Sequence, residues 1–228
     1  MDLSIIMPAY NEEATVIGAI KGALDANLPV DGREVIVIEN GSTDRTRELL
    51  RAHDFGPEVK VVELDVNRGK GGAVRVGVEH AEGRCVAILD ADLEYDANDF
   101  AKMLPPLLAG DVDAVIGVRH WQAHSAYSYW YVQANKAINT VANILYNVWL
   151  TDCMVGMKVC STEQFRSLGL REDGFGFDAE WVARLLRQKA EIYEVPVHYR
   201  ARRRDAGKKL RPFDGVRMLG VFIRCRFR

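Results

Sequence analysis

Three carboxylates stand close together near the middle of the chain: Asp90, Asp92 and Glu94, each two residues from the next. In an extended segment residues two apart point the same way, so this spacing predicts that all three converge on one point. Clustered anions repel one another unless a cation neutralises them. Hard oxygen ligands without His or Cys neighbours select Mg²⁺ or Mn²⁺, ions that commonly hold substrate phosphates as well. The ordinary alternative is one aspartate capping the next helix and two solvated acids.

Other polar stretches have the residue types of a phosphate or nucleoside site. Pro8-Ala9-Tyr10-Asn11-Glu12-Glu13 leads into a helical pattern, whose positive end suits a phosphate. Glu39-Asn40-Gly41-Ser42-Thr43-Asp44 offers polar groups for a base or ribose. Asn67-Arg68-Gly69-Lys70-Gly71-Gly72 joins glycines, which allow close backbone approach, to a lysine able to reach a phosphate. It matches neither standard glycine-rich nucleotide motif. Taken singly, each stretch is explained equally well as a cap or a turn. Further on, Arg200, Arg202, Arg203, Arg204, Lys208, Lys209 and Arg211 surround Gly207, as in a loop that closes on phosphate, with a solvated face as the alternative. Trp121, Tyr127, Tyr129, Trp130 and Tyr131 cluster where a membrane interface would suit them.

The elements that must position these residues alternate two periods. Short apolar β-branched runs at 3–7, 34–38, 59–64, 85–89 and 114–118 are separated by helical patterns over 12–27, from 42 or 43, and over 71–81. Asn11 is the expected N-cap of the first helix. Beyond Arg119 the pattern predicts a helix over 129–150, a strand over 153–160, a helix over 178–188, a strand over 191–200 and an amphipathic helix over 213–228. The long helix carries asparagines at 135, 139, 143 and 147, four apart and so on one face. This is an α/β pattern with a mostly parallel sheet, helices on both faces, and ligands at the carboxyl ends of the strands.

Composition bounds the rest. With 228 residues, 48% hydrophobic and net charge −2, the chain can bury a core and is neither disordered nor a globally basic nucleic-acid binder. No apolar window is long enough to span a bilayer, and no signal segment follows Met1. Cys85, Cys153, Cys160 and Cys225 form no CxxC pair and are expected as reduced thiols, hence a cytoplasmic protein, soluble or peripheral on the cytoplasmic face of a membrane.

Taken in order, PAYNEE, ENGSTD, NRGKGG and DAD at successive strand ends resemble glycosyltransferase family 2, the inverting GT-A fold. Gly117-Val118-Arg119, Leu150-Thr151-Asp152, Gly176-Phe177-Asp178-Ala179-Glu180 and Gly207-Lys208-Lys209 are similar to its polyprenyl-phosphate branch, the dolichyl-phosphate mannose and glucose synthases. The resemblance implies a single GT-A domain over 1–228, with a nucleotide-binding half (1–119), an acceptor half (120–211) and a C-terminal helix (212–228). It implies that Pro8, Tyr10 and Glu12 line the nucleotide, with Ile38, Glu39 and Asn40 beside the base and Asp90, Ala91 and Asp92 at the nucleotide-sugar. Asp90, Asp92 and Glu94 would hold Mg²⁺ or Mn²⁺, and Lys70 and Arg119 would face the diphosphate or the acceptor. The family usually has two aspartates where this chain has Glu39 and Asn40; an amide matches uracil at least as well as guanine, so UDP is favoured over GDP.

The implied reaction moves a sugar onto a polyprenyl phosphate. Asp92, Asp152 and Arg119 are the catalytic candidates. Asp152 is expected nearest the acceptor, with Asp178 and Glu180 as second choices, and Arg119, Arg202, Arg203, Arg204, Lys208 and Lys209 would meet the acceptor phosphate. The segment Cys153-Met154-Val155-Gly156-Met157-Lys158 departs from that branch. A soluble hydroxyl acceptor and a non-catalytic nucleotide-sugar binder are the alternatives.

Overall fold

The computed structural model describes residues 1–119, 129–202 and 212–227. In chain order the elements are β1 (Leu3–Ala9), α1 (Val16–Asp25), β2 (Arg33–Asn40), α2 (Thr46–Ala52), β3 (Val59–Leu64), α3 (Gly69–Glu79), β4 (Cys85–Ile88), α4 (Phe100–Leu108) and β5 (Ala114–Arg119). There follow α5 (Tyr129–Tyr146), β6 (Lys158–Ser161), α6 (Thr162–Ser167), α7 (Gly176–Arg187), β7 (Ile192–Val197) and α8 (Pro212–Phe227). The seven strands form one sheet in the order β3-β2-β1-β4-β6-β5-β7. Every pairing is parallel except those of β6, which runs antiparallel to both β4 and β5.

The central strands are buried at all but one residue near an end of β1 and of β2, which is why their sequences are continuous apolar runs and not alternations. One reversed strand changes which loops meet the site. The parallel strands present their exits at the carboxyl edge, whereas β6 presents its entrance there. Residues just before β6 therefore join the residues just after β1, β4 and β5.

Several local expectations are corrected. Asn11 does not cap a helix: its φ is 51°, in the left-handed region that asparagine tolerates, and α1 begins five residues later, at Val16. Its side chain bridges to the next loop instead, accepting from the Thr43 backbone N–H at 2.8 Å. The second helix starts at Thr46, with Asp44 accepting from the Thr46 N–H at 2.9 Å. Asp90–Glu94 is a turn with Leu93 at φ 58°, not an extended segment, so spacing of two no longer guarantees one direction. The strand foreseen over 153–160 is only β6, and α4 and α6 were not foreseen. Arg203, Arg204, Lys208, Lys209, Trp121 and Tyr127 lie outside the described residues.

Candidate active site

A cavity of about 340 Å³ opens at the carboxyl edge of the sheet. Pro8, Tyr10 and Glu12 after β1, Asn40 at the end of β2 and Lys70 at the start of α3 line one side. Asp90, Ala91, Asp92 and Glu94 after β4 form the floor, and Arg119, Gly156, Asp178, Tyr199 and Arg202 close the other side. Most residues singled out in the sequence are thus brought together.

At the centre is a row of alternating charges. Lys70 Nζ donates to Asp90 Oδ2 at 2.9 Å and lies 3.6 Å from Asp178 Oδ2. The other oxygen of Asp178 accepts from Lys158 Nζ at 2.6 Å. Burial alone would raise the Asp178 carboxyl, but Lys158 and Lys70 outweigh it and hold the group below the ordinary carboxylate range. Burial likewise disfavours the Lys70 ammonium, yet Asp178 and Asp90 hold its pKa above the usual value, so it stays charged. Burial wins at Lys158, whose pKa falls despite Asp178, with Lys70 adding repulsion. Lys158, fully buried on β6, was missed by the sequence reading; its signal was a lone lysine opening an otherwise apolar strand. Gly156 permits this row, since a Cβ there would come within 2.6 Å of Asp90 Oδ2.

Asp92 carries the opposite imbalance. Burial beside Asp90 and Glu94 pushes its carboxyl up to about 7, the behaviour of an anion without enough counter-charge. Two carboxylates of hard oxygen facing a cavity fit Mg²⁺ or Mn²⁺. Among the described residues, however, no group of three His, Cys, Asp or Glu side chains is placed to hold an ion alone. Glu94 instead accepts from the Arg202 backbone N–H at 2.9 Å.

Arg202 acts as a clasp. Its guanidinium donates to Glu12 Oε2 at 2.7 Å, to Thr15 Oγ1 at 3.0 Å and to the Asp92 carbonyl at 2.9 Å. It thus ties the first loop to the acidic turn.

Arg119 and Asp152 form a bidentate pair with both N···O distances at 2.7 Å. Asp152 is 0% exposed and does not line the cavity. Expected nearest the acceptor, it fixes Arg119, whose guanidinium also lies over the Tyr199 ring, 5.3 Å from its centroid. The segment 150–153 that carries Asp152 is itself held by the asparagine face of α5. Asn139 accepts from the Cys153 N–H and donates to the Thr151 carbonyl, while Asn143 makes the same two-sided grip on Leu150. From β7, Glu194 accepts from the Thr151 and Asp152 N–H groups.

Three further expectations find different roles. Ile38 and Glu39 are fully buried, with Glu39 held by Arg47 at 2.6 Å and by the Ser42 N–H. Asn40 donates to Asn67 Oδ1 and the Gly69 carbonyl and accepts from the Arg68 N–H, so its amide organises the glycine turn and is not left to read a base. Glu180 turns away from the cavity and accepts from the Arg171 and Glu172 N–H groups, both at 2.7 Å. The glycines of the turn serve protein packing. Gly69 has φ 73°, and a Cβ at Gly69 or Gly71 would collide with the backbone of Asp173 or Glu172.

This architecture, a mostly parallel sheet with one reversed strand beside the cavity, is shared with solved GT-A glycosyltransferases. Glucosyl-3-phosphoglycerate synthase from Mycobacterium tuberculosis, solved with Mn²⁺, UDP and glucosyl-3-phosphoglycerate, superposes with a TM-score of 0.71 at 23% identity, over 98% of this chain and 78% of that one. The fold is thus that of a GT-A glycosyltransferase. The chain belongs to the family described as glycosyl transferase family 2, whose sequence profile matches residues 4–169.

It is 33% identical over 226 residues to glycosyltransferase AglJ of Haloferax volcanii, covering 97% of this chain and 71% of that relative. It is 30% identical over 222 residues to the dolichyl-phosphate hexose transferase of the same organism, covering 97% and 92%. It spans 33% to 62% of several other relatives. No described helix is long and apolar enough to cross a membrane.

Proposed function

We propose that this chain transfers a hexose from a nucleoside-diphosphate sugar, a UDP-sugar on the strength of the neighbouring synthase solved with UDP, to a polyprenyl phosphate with inversion at the anomeric carbon. The observation that carries this reading is a pair of cations, Lys70 and Arg119, that line the same cavity. Asp90 and Asp178 pair with lysines, Glu12 with Arg202, and Asp92 and Glu94 accept from backbone N–H groups. A hydroxyl acceptor needs a base, for which Asp92 with its raised carboxyl is the available group; a phosphate acceptor is already anionic at neutral pH and suits the second cation. The similarity to relatives named for dolichyl phosphate supports the same acceptor.

Two separate cations suit two phosphate groups. Lys70, at the start of α3, faces the donor diphosphate together with the positive end of that helix. Arg119 faces the acceptor phosphate from the opposite wall, oriented by Asp152. Arg202 keeps Glu12 and the acidic turn in register around the nucleotide. Asp90 and Asp92 would hold Mg²⁺ or Mn²⁺, which offsets charge on the leaving diphosphate, and the neighbouring synthase solved with Mn²⁺ and UDP supports that choice. Attack on the face opposite the leaving group then inverts the sugar.

The test uses radiolabelled UDP-sugars with short polyprenyl phosphates or soluble sugars. Label is expected in the organic phase, with the anomer inverted by NMR. Asp92→Asn or EDTA is expected to abolish transfer while leaving the melting curve unchanged, because Asp92 is a strand-end ligand and not a core group. Label only in soluble sugar products overturns the acceptor; full activity in the variant or after chelation overturns the metal.

A further inference from the structure

We propose, resting on the reading of Lys70 as the cation that faces the donor diphosphate, that Glu172 is a positioning residue for that side of the cavity. Gripped by two arginines of α8, it fixes the backbone on which the Lys70 turn is built. Glu172 is buried in the connection between α6 and α7, and α8, α7 and α3 each hold it by a different group. From α8, Arg217 donates to Oε2 through Nη2 at 3.2 Å and Nε at 3.3 Å, and Arg224 donates to Oε1. The two arginines are seven residues apart, two turns of helix, and so share one side of α8. From α7, Glu180 accepts from the Glu172 N–H at 2.7 Å. From α3, Arg75 donates to the Glu172 carbonyl at 2.8 Å. Gly176 leaves space for the carboxylate, since a Cβ there would come within 2.5 Å of Glu172 Oε2.

The residues that follow carry the grip to the site. The Asp173 carbonyl accepts from the Gly72 N–H at 3.1 Å, and the Asp173 carboxylate accepts from Arg75. Gly69 and Gly71, on either side of Lys70, lie so close to the Asp173 and Glu172 carbonyls that neither has room for a Cβ. The first turn of α3 therefore follows the 172–173 backbone, and Lys70 follows the turn. Gly174 and Phe175 line the cavity itself, and Arg217 packs on Gly174, with Nη1 3.7 Å from where a Cβ would be. A shift of α8 thus reaches both the Lys70 ammonium and the wall beside it. Glu172, Arg217 and Arg224 lie beyond residues 4–169, which the family profile matches, so membership of the family does not by itself supply the grip.

Exposure separates placement from bulk stability. The side chains of Arg217 and Arg224 are 55% and 44% exposed, and ion pairs made by cations so exposed add little to global stability. Moving a lysine that faces a phosphate acts on the site directly, where a misplacement on the order of 1 Å costs up to about a hundredfold.

The test combines Arg217→Met with Arg224→Met. Calorimetry is expected to show UDP bound about tenfold more weakly than by the wild type, with the melting temperature little changed. The KM for UDP-sugar should rise, while the KM for polyprenyl phosphate, met by Arg119 on the opposite wall, stays the same. Amide exchange at Gly72, followed by NMR, should speed up because its acceptor on Asp173 is no longer held. Glu172→Gln, which keeps the shape of the side chain, is expected to show the same changes, and Arg217→Lys with Arg224→Lys, which keeps both charges, should restore most of the UDP affinity. Tyr146→Phe loosens α8 at another contact, the hydrogen bond from the Tyr146 hydroxyl to the Phe222 carbonyl at 2.9 Å, and should leave UDP binding unchanged. Equal UDP affinity and equal Gly72 exchange in the wild type and the methionine variant overturn the positioning role. An equal loss of UDP affinity in Tyr146→Phe overturns it as well, leaving α8 a matter of stability alone. Faster Gly72 exchange, with UDP affinity indifferent both to the methionine variant and to Lys70→Met, leaves the grip on the turn standing and overturns Lys70 as the donor cation instead.

Discussion

Asp178 sits between two lysines, and that position makes two tests specific. Lys158 is wholly buried on one side, so Lys158→Met leaves an anion with one fewer partner and should cost about 3–5 kcal/mol of stability, as for other broken buried pairs. Adding Asp178→Leu removes the stranded charge and should restore much of the loss; urea denaturation of the two single variants and the double variant gives the coupling directly. The pH dependence has a defined sign. Because the folded carboxyl lies below its ordinary value of 3.8, its stabilising contribution is complete above that value and is lost as pH falls through the lower folded pKa. Wild type should therefore lose its advantage over Asp178→Asn as the urea midpoint is followed from about pH 5 toward pH 2. A constant gap across that range would remove Asp178 from the acid response.

Among the elements, the asparagine row of α5 shows what could be read ahead and what could not. Its four-residue spacing was plain in the sequence; its task was not, because the partner is backbone at 150–153, and backbone carries no residue signature. The acidic turn failed for a related reason: spacing predicts direction only if the conformation is known, and Leu93 takes a positive φ. The first five strands and most helices were legible from period alone. Helix α4 was hidden by Pro105 and Pro106, which sit inside it. Helix α6 was announced by Ser161-Thr162-Glu163-Gln164, where Ser161 Oγ accepts from the Gln164 N–H at 3.0 Å, a cap that hydropathy does not register. Glycine was read correctly as permitting close approach but toward the wrong neighbour. Gly71→Ala would press a methyl group into the Glu172 backbone, so a loss of about 1–3 kcal/mol is expected by thermal melting, together with weaker UDP binding by calorimetry as the Lys70 turn shifts.

At the scale of the whole molecule, the fold buries all four thiols, two on strands, one in the loop before β6 and one on α8. Burial pushes Cys153 up to about 12 and raises Cys85, Cys160 and Cys225 as well. The folded protein should resist iodoacetamide at pH 8 and label fully in guanidinium, as followed by mass spectrometry; rapid native labelling would overturn the burial of the labelled thiol. The family was readable because its motifs fall at successive strand ends, whereas residues that orient them, such as Lys158 and Tyr199, are scattered over elements that only the folded sheet brings together.

The clasp between Arg202 and Glu12 joins residues 190 positions apart. In the order of synthesis, the first loop of the site leaves the ribosome long before its partner exists. The strands that carry the nucleotide motifs can pair early, since β1, β2 and β3 are sequential neighbours, yet the site they build stays open until residue 202 has emerged. Closing so long a loop is slow but costs little more than closing one half its length. Competence for transfer therefore arrives late and all at once, and a nascent chain has no finished site with which to capture a nucleotide-sugar.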